Sequence, residues 1–179
     1  MRQNFNKTVK MHEACSSDSS WKSNIFFNNG YAYATNGYII IKNSIDEISN
    51  FDDNQKQLLN NKSLHRNQYK DILKYDSVNI IEDGIECIDP KSKGKILFNF
   101  SENTCYIDFE KTINIVIDAE PISLEEIHFD TSLITNINNA LFNSEDCKFQ
   151  FKRQIEHLNR VIVLVKSSKN SLAIMSTNI

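Results

Sequence analysis

Between Asn24 and Lys42 the apolar positions fall into three short aromatic and β-branched runs, NIFFNNGYAYATNGYIIIK, separated by the pairs Asn29-Gly30 and Asn36-Gly37. Asn-Gly reaches positive φ at little cost and suits the tight primed turns between adjacent antiparallel strands, so this stretch predicts a three-stranded meander. Upstream, Val9 and Met11 alternate with Thr8, Lys10 and His12, which reads as a half-buried first strand. The polar residues 16–20 break that pattern, and Trp21 follows as a core anchor.

The period then changes. Over 45–61, Ile45, Ile48, Leu58 and Leu59 sit at near-helical spacing, and Asp52-Asp53 is placed to offset the positive end of a helix dipole. One or two short helices are expected there. Residues 66–75 put Tyr69, Ile72 and Leu73 on one side of a further helix. Strand character returns at 78–81, Asp83-Gly84 turns the chain, and 85–88 pairs back. Residues 95–100 and 104–109 read as a hairpin around Glu102-Asn103, and 112–117 as another alternating strand ending near Pro121. In the last third, 127–130 reads as a strand. Asp130 caps a helix carrying Leu133, Ile134, Ile137, Ala140 and Leu141, and strands follow at 148–152, 160–166 and 172–177.

The order strand, helix, three strands therefore runs from Glu126 to the end and again from about Leu64 through Phe109. The first 42 residues give a strand, a polar break and three strands. A period of roughly 50–65 residues predicts a structural duplication, an α+β fold of repeated strand–helix–three-strand units with antiparallel sheets. Residues 1–110 form the N-terminal units with a helical insertion at 45–61, and residues 111–179 the C-terminal unit.

With 40% hydrophobic residues, 4 Gly and 2 Pro in 179 residues, the chain has ample material for a packed core and little for linkers. A net charge of −3 and a pI near 5.8 do not advertise nucleic-acid binding, although a local basic face works on an acidic protein. Cys15, Cys87, Cys105 and Cys147 form no C-x-x-C pair, which predicts separate reduced thiols and neither a disulfide framework nor a zinc site. The N-terminal MRQNFNKTVK has no apolar stretch of signal-peptide type, and no run is long enough to span a bilayer. A cytoplasmic protein without membrane contact is expected.

The segment Tyr33-Ala34-Thr35-Asn36-Gly37-Tyr38-Ile39-Ile40 resembles the A-T-D-G-H-R-L strand–turn–strand signature of the bacterial DNA polymerase sliding clamp (β subunit) family, with Asn36 in place of Asp. Ile127-His128-Phe129-Asp130, the helix after it and Leu172-Ala173-Ile174-Met175-Ser176 are similar to the family's last unit, which closes on a short I-M-P-M strand; Ser176 stands where that Pro would be. The small relatives of phages and mobile elements share this order of elements. The resemblance implies a DNA-clamp-like fold and a non-catalytic processivity factor of DNA replication, binding DNA backbone, replication proteins or both. A full clamp protomer is longer than this chain, which implies a homo-oligomer if a ring forms. Partners of the family dock peptides near the C-terminal strand, which by resemblance points to Leu172, Ile174 and Met175. The alternative is a phage or mobile-element interaction module that keeps the fold, binds a host factor and does not encircle DNA.

Duplex DNA presents one negative charge per ~1.7 Å, so a helix-lined ring holds it through basic residues without reading bases. Lys62, Arg66, Lys70 and Lys74 recur every four residues and supply a candidate stripe, interrupted by Asp71. The helix after Asp130 offers Thr135, Asn136, Asn138 and Asn139 but no Lys or Arg up to Cys147. Lys7, Lys10, Lys152, Arg153, Lys166 and Lys169 read as solubilising residues at strand ends. Alternation sends Phe26, Phe27, Tyr31, Tyr33 and Tyr38 to both sheet faces, which favours packing over a base-stacking platform. His12, Glu13, Cys15 and Asp18 match no known catalytic or metal spacing, and Gly30, Gly37, Gly84 and Gly94 all sit in turns. No enzyme activity and no cofactor are expected.

Overall fold

The first Asn-Gly pair sets the local geometry. β1 (Asn24–Asn28) and β2 (Tyr31–Thr35) pair antiparallel with Phe26 opposite Tyr33. Asn29 at φ 49° and Gly30 at φ 79° form the two-residue turn with consecutive positive φ that Asn-Gly favours. The second link is built differently. Between β2 and β3 (Ile39–Ser44), Gly37 takes φ 96°, the Thr35 hydroxyl accepts from the Gly37 N–H, and the Asn36 side-chain oxygen accepts from the N–H groups of Tyr38 and Ile39. An Asx-type loop thus closes this hairpin.

The computed structural model describes residues 2–18, 20–89, 92, 94–101, 107–124, 126–153 and 160–178. After the meander come α1 (Ile45–Ile48), α2 (Asp53–Leu59), β4 (Lys62–His65) and α3 (Arg66–Ile72). A second meander follows: β5 (Val78–Ile81), β6 (Gly84–Ile88) and β7 (Lys95–Asn99). α4 (Phe109–Asp118), α5 (Thr131–Ala140), β8 (Lys148–Arg153), β9 (Arg160–Lys166) and β10 (Leu172–Asn178) complete the fold, a mixed α and β architecture of antiparallel sheets. Asp52 caps α2 by accepting from Gln55 N–H, and Asp130 caps α5 by accepting from Ser132 N–H at 2.8 Å.

One sheet runs β4-β1-β2-β3-β10-β9-β8, so strands from both ends of the chain meet at the β3–β10 pair, with Ile41 opposite Ala173. The other sheet is β5-β6-β7. The main core lies on one face of the long sheet, where Ile25, Phe27, Ile41, Val163, Val165 and Met175 meet Met11, Tyr69 and Ile72 of the helical layer and Ile137 and Ala140 of α5. Burying each large side chain stabilises the fold by about 1.5–3 kcal/mol. Val78, Ile80, Ile85 and Cys87 of the smaller sheet belong to the same core. α4 covers the opposite face, packing Phe109, Ile113 and Val116 on Phe26, Tyr33, Leu164 and Ile174.

Four expected elements differ. The strand expected at Val9 and Met11 is a turn followed by one 3-10 turn, Met11–Ala14. Lys10 N–H donates to Asn139 O of α5 at 2.8 Å, while Val9 and Glu13 N–H donate locally to Asn6 O and Lys10 O, so this segment bonds to itself and to a helix rather than to a strand. The strand expected over 112–117 lies inside α4, because Phe109, Ile113 and Val116 repeat at helical spacing against the sheet and leave Ile115 exposed. Of the hairpin expected over 95–100 and 104–109, the first arm is β7, which pairs with β6 on one edge; residues 102–106 lie outside the described residues, and Phe109 opens α4 where the second arm is expected to end. Residues 127–130 form no strand; the Thr177 hydroxyl donates to His128 O and ties the segment to β10. Trp21 is half-buried and packs 6.1 Å from Phe26, on the α4 side of the sheet.

Candidate functional site

The helical layer on the main-core face carries the first candidate. α3 begins with a reciprocal cap: His65 Nδ1 accepts from Asn67 N–H at 3.2 Å, and Gln68 Oε1 accepts from His65 N–H at 3.3 Å. The helix is held by fully buried Tyr69, whose hydroxyl donates to Val9 O at 3.3 Å, and by Ile72. With that face buried, Lys70 is exposed, while Arg66 is half-buried and donates from Nη1 to Cys15 O at 3.3 Å.

The expected stripe of four cations is divided by the fold. Arg66 and Lys70 share α3. Lys62 belongs to β4, where it pairs with Phe27 of β1 and its ammonium lies 5.5 Å from the Phe100 ring. Lys74 falls past the end of α3 and forms an exposed ion pair with Asp71 at 2.5 Å. A different cation joins Arg66 and Lys70. Lys10, which reads in the sequence as a strand-end residue, sits at the start of the 3-10 turn that packs between α3 and α5.

His12 lies beneath these groups. It is 7% exposed, its Nδ1 has no hydrogen-bond partner among the described residues, and its Nε2 is 3.9 Å from Glu13 Oε1. Burial lowers its pKa; Glu13 opposes that shift, while Lys70, Arg66 and Lys10 reinforce it. Lys10, Arg66 and Lys70 therefore act on one site, and the contact between the 3-10 turn and α3, invisible in sequence spacing, is what gathers them. α5 completes the layer without cations: Asn139 Nδ2 donates to Glu13 Oε2 at 2.6 Å.

The C-terminal strand presents its residues to two faces. Leu172 and Ile174 lie against the α4 side, and Met175 is fully buried in the main core. Alternation separates Met175 from the other two. α4 is fastened at both ends over this face. At its start the Tyr33 hydroxyl donates to Glu110, which also pairs with Lys42 at 2.6 Å. At its end the buried Lys152 Nζ donates to Ile117 O and Ala119 O, both at 2.9 Å. Beside the start of α4 is a cavity of about 400 Å³ with Phe26, Tyr33 and Phe109 in its wall and Asn28, Asn29, Asp108 and Glu110 around them. Its two carboxylates disfavour a phosphate ligand.

The group His12, Glu13, Cys15 and Asp18 does not assemble a nucleophile. Burial pushes the Cys15 thiol up to about 12, and its Sγ donates weakly to Met11 O and Asn24 O, each at 3.7 Å. A thiol held protonated is a poor attacking group. Asp18 lies in an exposed turn with Ser20.

No protein-family model, curated protein or solved structure matches this chain.

Proposed function

We propose that this protein is a non-catalytic, sliding-clamp-like accessory factor of DNA replication whose helical layer faces the DNA backbone. One observation carries the reading. The long sheet contains two meanders placed head to head, β1-β2-β3 and β10-β9-β8, with their third strands adjacent and antiparallel and β4 added at the edge of the first. On the main-core face each meander is preceded by a helical segment, the 3-10 turn Met11–Ala14 before one, with the short 3-10 turn Trp21–Ser23 intervening on the α4 side, and α5 before the other, and Met11–Ala14 and α5 touch. β4, α3 and β5-β6-β7 follow the same order. This arrangement supports a duplicated building block of clamp type, and Lys10, Arg66 and Lys70 lie in its helical layer.

These cations predict a modest but salt-steep affinity for duplex DNA of any sequence. Three phosphate contacts give a slope near −2.7 in log K against log[salt], or about 40-fold weaker binding between 50 and 200 mM salt. Fluorescence anisotropy with unrelated duplexes measures this. Lys70→Glu and Lys10→Glu, both at exposed positions, are expected to lower affinity for all duplexes and flatten the slope. Unchanged affinity in both variants removes this face from the proposal.

The second reading, an interaction module that does not encircle DNA, is favoured by the neutral α5 and by Asp71 neutralising Lys74. Absence of duplex binding at low salt would select it.

A further inference from the structure

We infer that β7 is the docking edge for a second copy of this chain, pairing antiparallel with its own counterpart about a two-fold axis at Leu97. This goes beyond the proposed role in DNA replication and does not depend on it.

Among the described residues, the other sheet edges carry backbone bonds from the chain's own flanking segments. Ile122 N–H donates to Phe151 O and Arg153 N–H to Glu120 O along β8; Ser101 N–H donates to Ser63 O of β4; Val78 N–H of β5 donates to Gln3 O. On the outward side of β7 the Ser101–Ser63 bond lies just past the strand's end, and among the described residues no such bond reaches Lys95 to Asn99. Phe100 N–H and Gly94 O bond toward β6, to Asp83 O and Asp89 N–H. The even-numbered residues of β7 therefore face β6, and Lys95, Leu97 and Asn99 point their N–H and C=O groups away from it. Exposed apolar side chains accompany that open edge: Leu97 is 47% exposed, Ile96 38% and Ile88, on the neighbouring strand, 42%. An edge of this kind is a template for strand addition.

The residues of β7 select a copy of itself as the occupant. With Leu97 opposite the second copy's Leu97, Lys95 falls opposite Asn99 and Ile96 opposite Phe98. All three outward residues then form hydrogen-bonded pairs, and shifting the register by two residues loses part of the ladder. No like charges face each other, because Lys95 meets an amide and is already paired with Glu86 of its own chain at 3.0 Å. The chain turns back at Gly94, so the incoming strand ends at Lys95 before reaching the Ser101–Ser63 bridge. The pairing is isologous and closes at two chains.

Native mass spectrometry and light scattering test this on the full chain, with a species of twice the 20.7 kDa chain mass expected at high concentration. Leu97→Glu and Leu97→Lys each place like charges face to face on the axis and are expected to give monomers with unaltered circular dichroism. Mixing the two is expected to restore a heterodimer, since opposite charges then meet. A wild type that stays monomeric at its solubility limit overturns the inference, as does a Leu97→Glu protein that remains dimeric or a mixture that forms no heterodimer. Amide exchange gives an independent readout: Lys95, Leu97 and Asn99 N–H groups become protected as concentration rises if the inference holds, and exchange equally fast at every concentration if it fails.

Discussion

At the scale of single residues, the most consequential group is His12. Its imidazole is buried with an orphan Nδ1, and the groups facing it are Glu13 beside it, Lys10 before it, Arg66 and Lys70 from α3, and the Tyr69 ring at 6.3 Å. Burial is the largest influence and three cations add to it, so the folded-state pKa lies below 6.5. The unfolded chain then binds this proton more readily than the fold does. Stability from His12 is complete above pH 6.5 and is lost as pH falls toward the folded-state value, at most about 1.4 kcal/mol per pH unit. His12→Leu keeps the volume and deletes the titration. Urea midpoints measured from neutral pH to about pH 5 are expected to fall less steeply for this variant than for the wild type. Parallel curves would remove His12 as the acid-sensitive group. None of this was readable in the chain, where alternation with Val9 and Met11 sets His12 on the polar side of an expected strand; its burial comes from two helices distant in sequence.

Among the elements, α4 shows where pattern reading divides. Thr112 to Ile117 alternates like a strand, yet Phe109, Ile113 and Val116 also satisfy the helical period, and a short β-branched run matches both templates. The choice is made by tertiary contacts: the outer face of the long sheet needs a cover, and Asp108 caps the helix by accepting from Lys111 N–H at 2.9 Å. The three strands around the two Asn-Gly pairs were legible for the opposite reason, since turn chemistry and alternation there agree. Lys152 provides the decisive test of how α4 is held. Its ammonium satisfies the carbonyls of Ile117 and Ala119 where the helix ends, and it is itself buried. Lys152→Met keeps the apolar stem but leaves both carbonyls without that donor, a cost of about 1.5–3 kcal/mol for lost bonds to a charged group. Denaturant unfolding should register that loss, and limited proteolysis should cut the segment around α4 sooner. A variant as stable and as resistant as the wild type would mean that the Phe109, Ile113 and Val116 contacts alone secure the helix.

For the whole molecule, the governing fact is that the last strand completes the sheet begun by the first meander. β10 lies between β3 and β9, with Ile174 opposite Ile40 on one side and Leu164 on the other. Local patterns revealed each meander but not their junction, because pairing across more than a hundred residues leaves no mark in sequence period. The division at residues 110 and 111 illustrates the difference: that position lies within α4, and the core beneath the sheet draws Ile25, Ile41 and Phe27 together with Val163, Val165 and Met175. A chain ended at Asn143 would retain β1 to β7 and all five helices, yet β3 would lose its neighbour and the core one wall. The full chain is expected to unfold in one sharp thermal transition, and the truncated chain to lack it and to lose its near-ultraviolet circular dichroism. Retention of a cooperative transition would show that residues 1–143 are self-sufficient, and that β8, β9 and β10 dock on a finished fold instead of completing it.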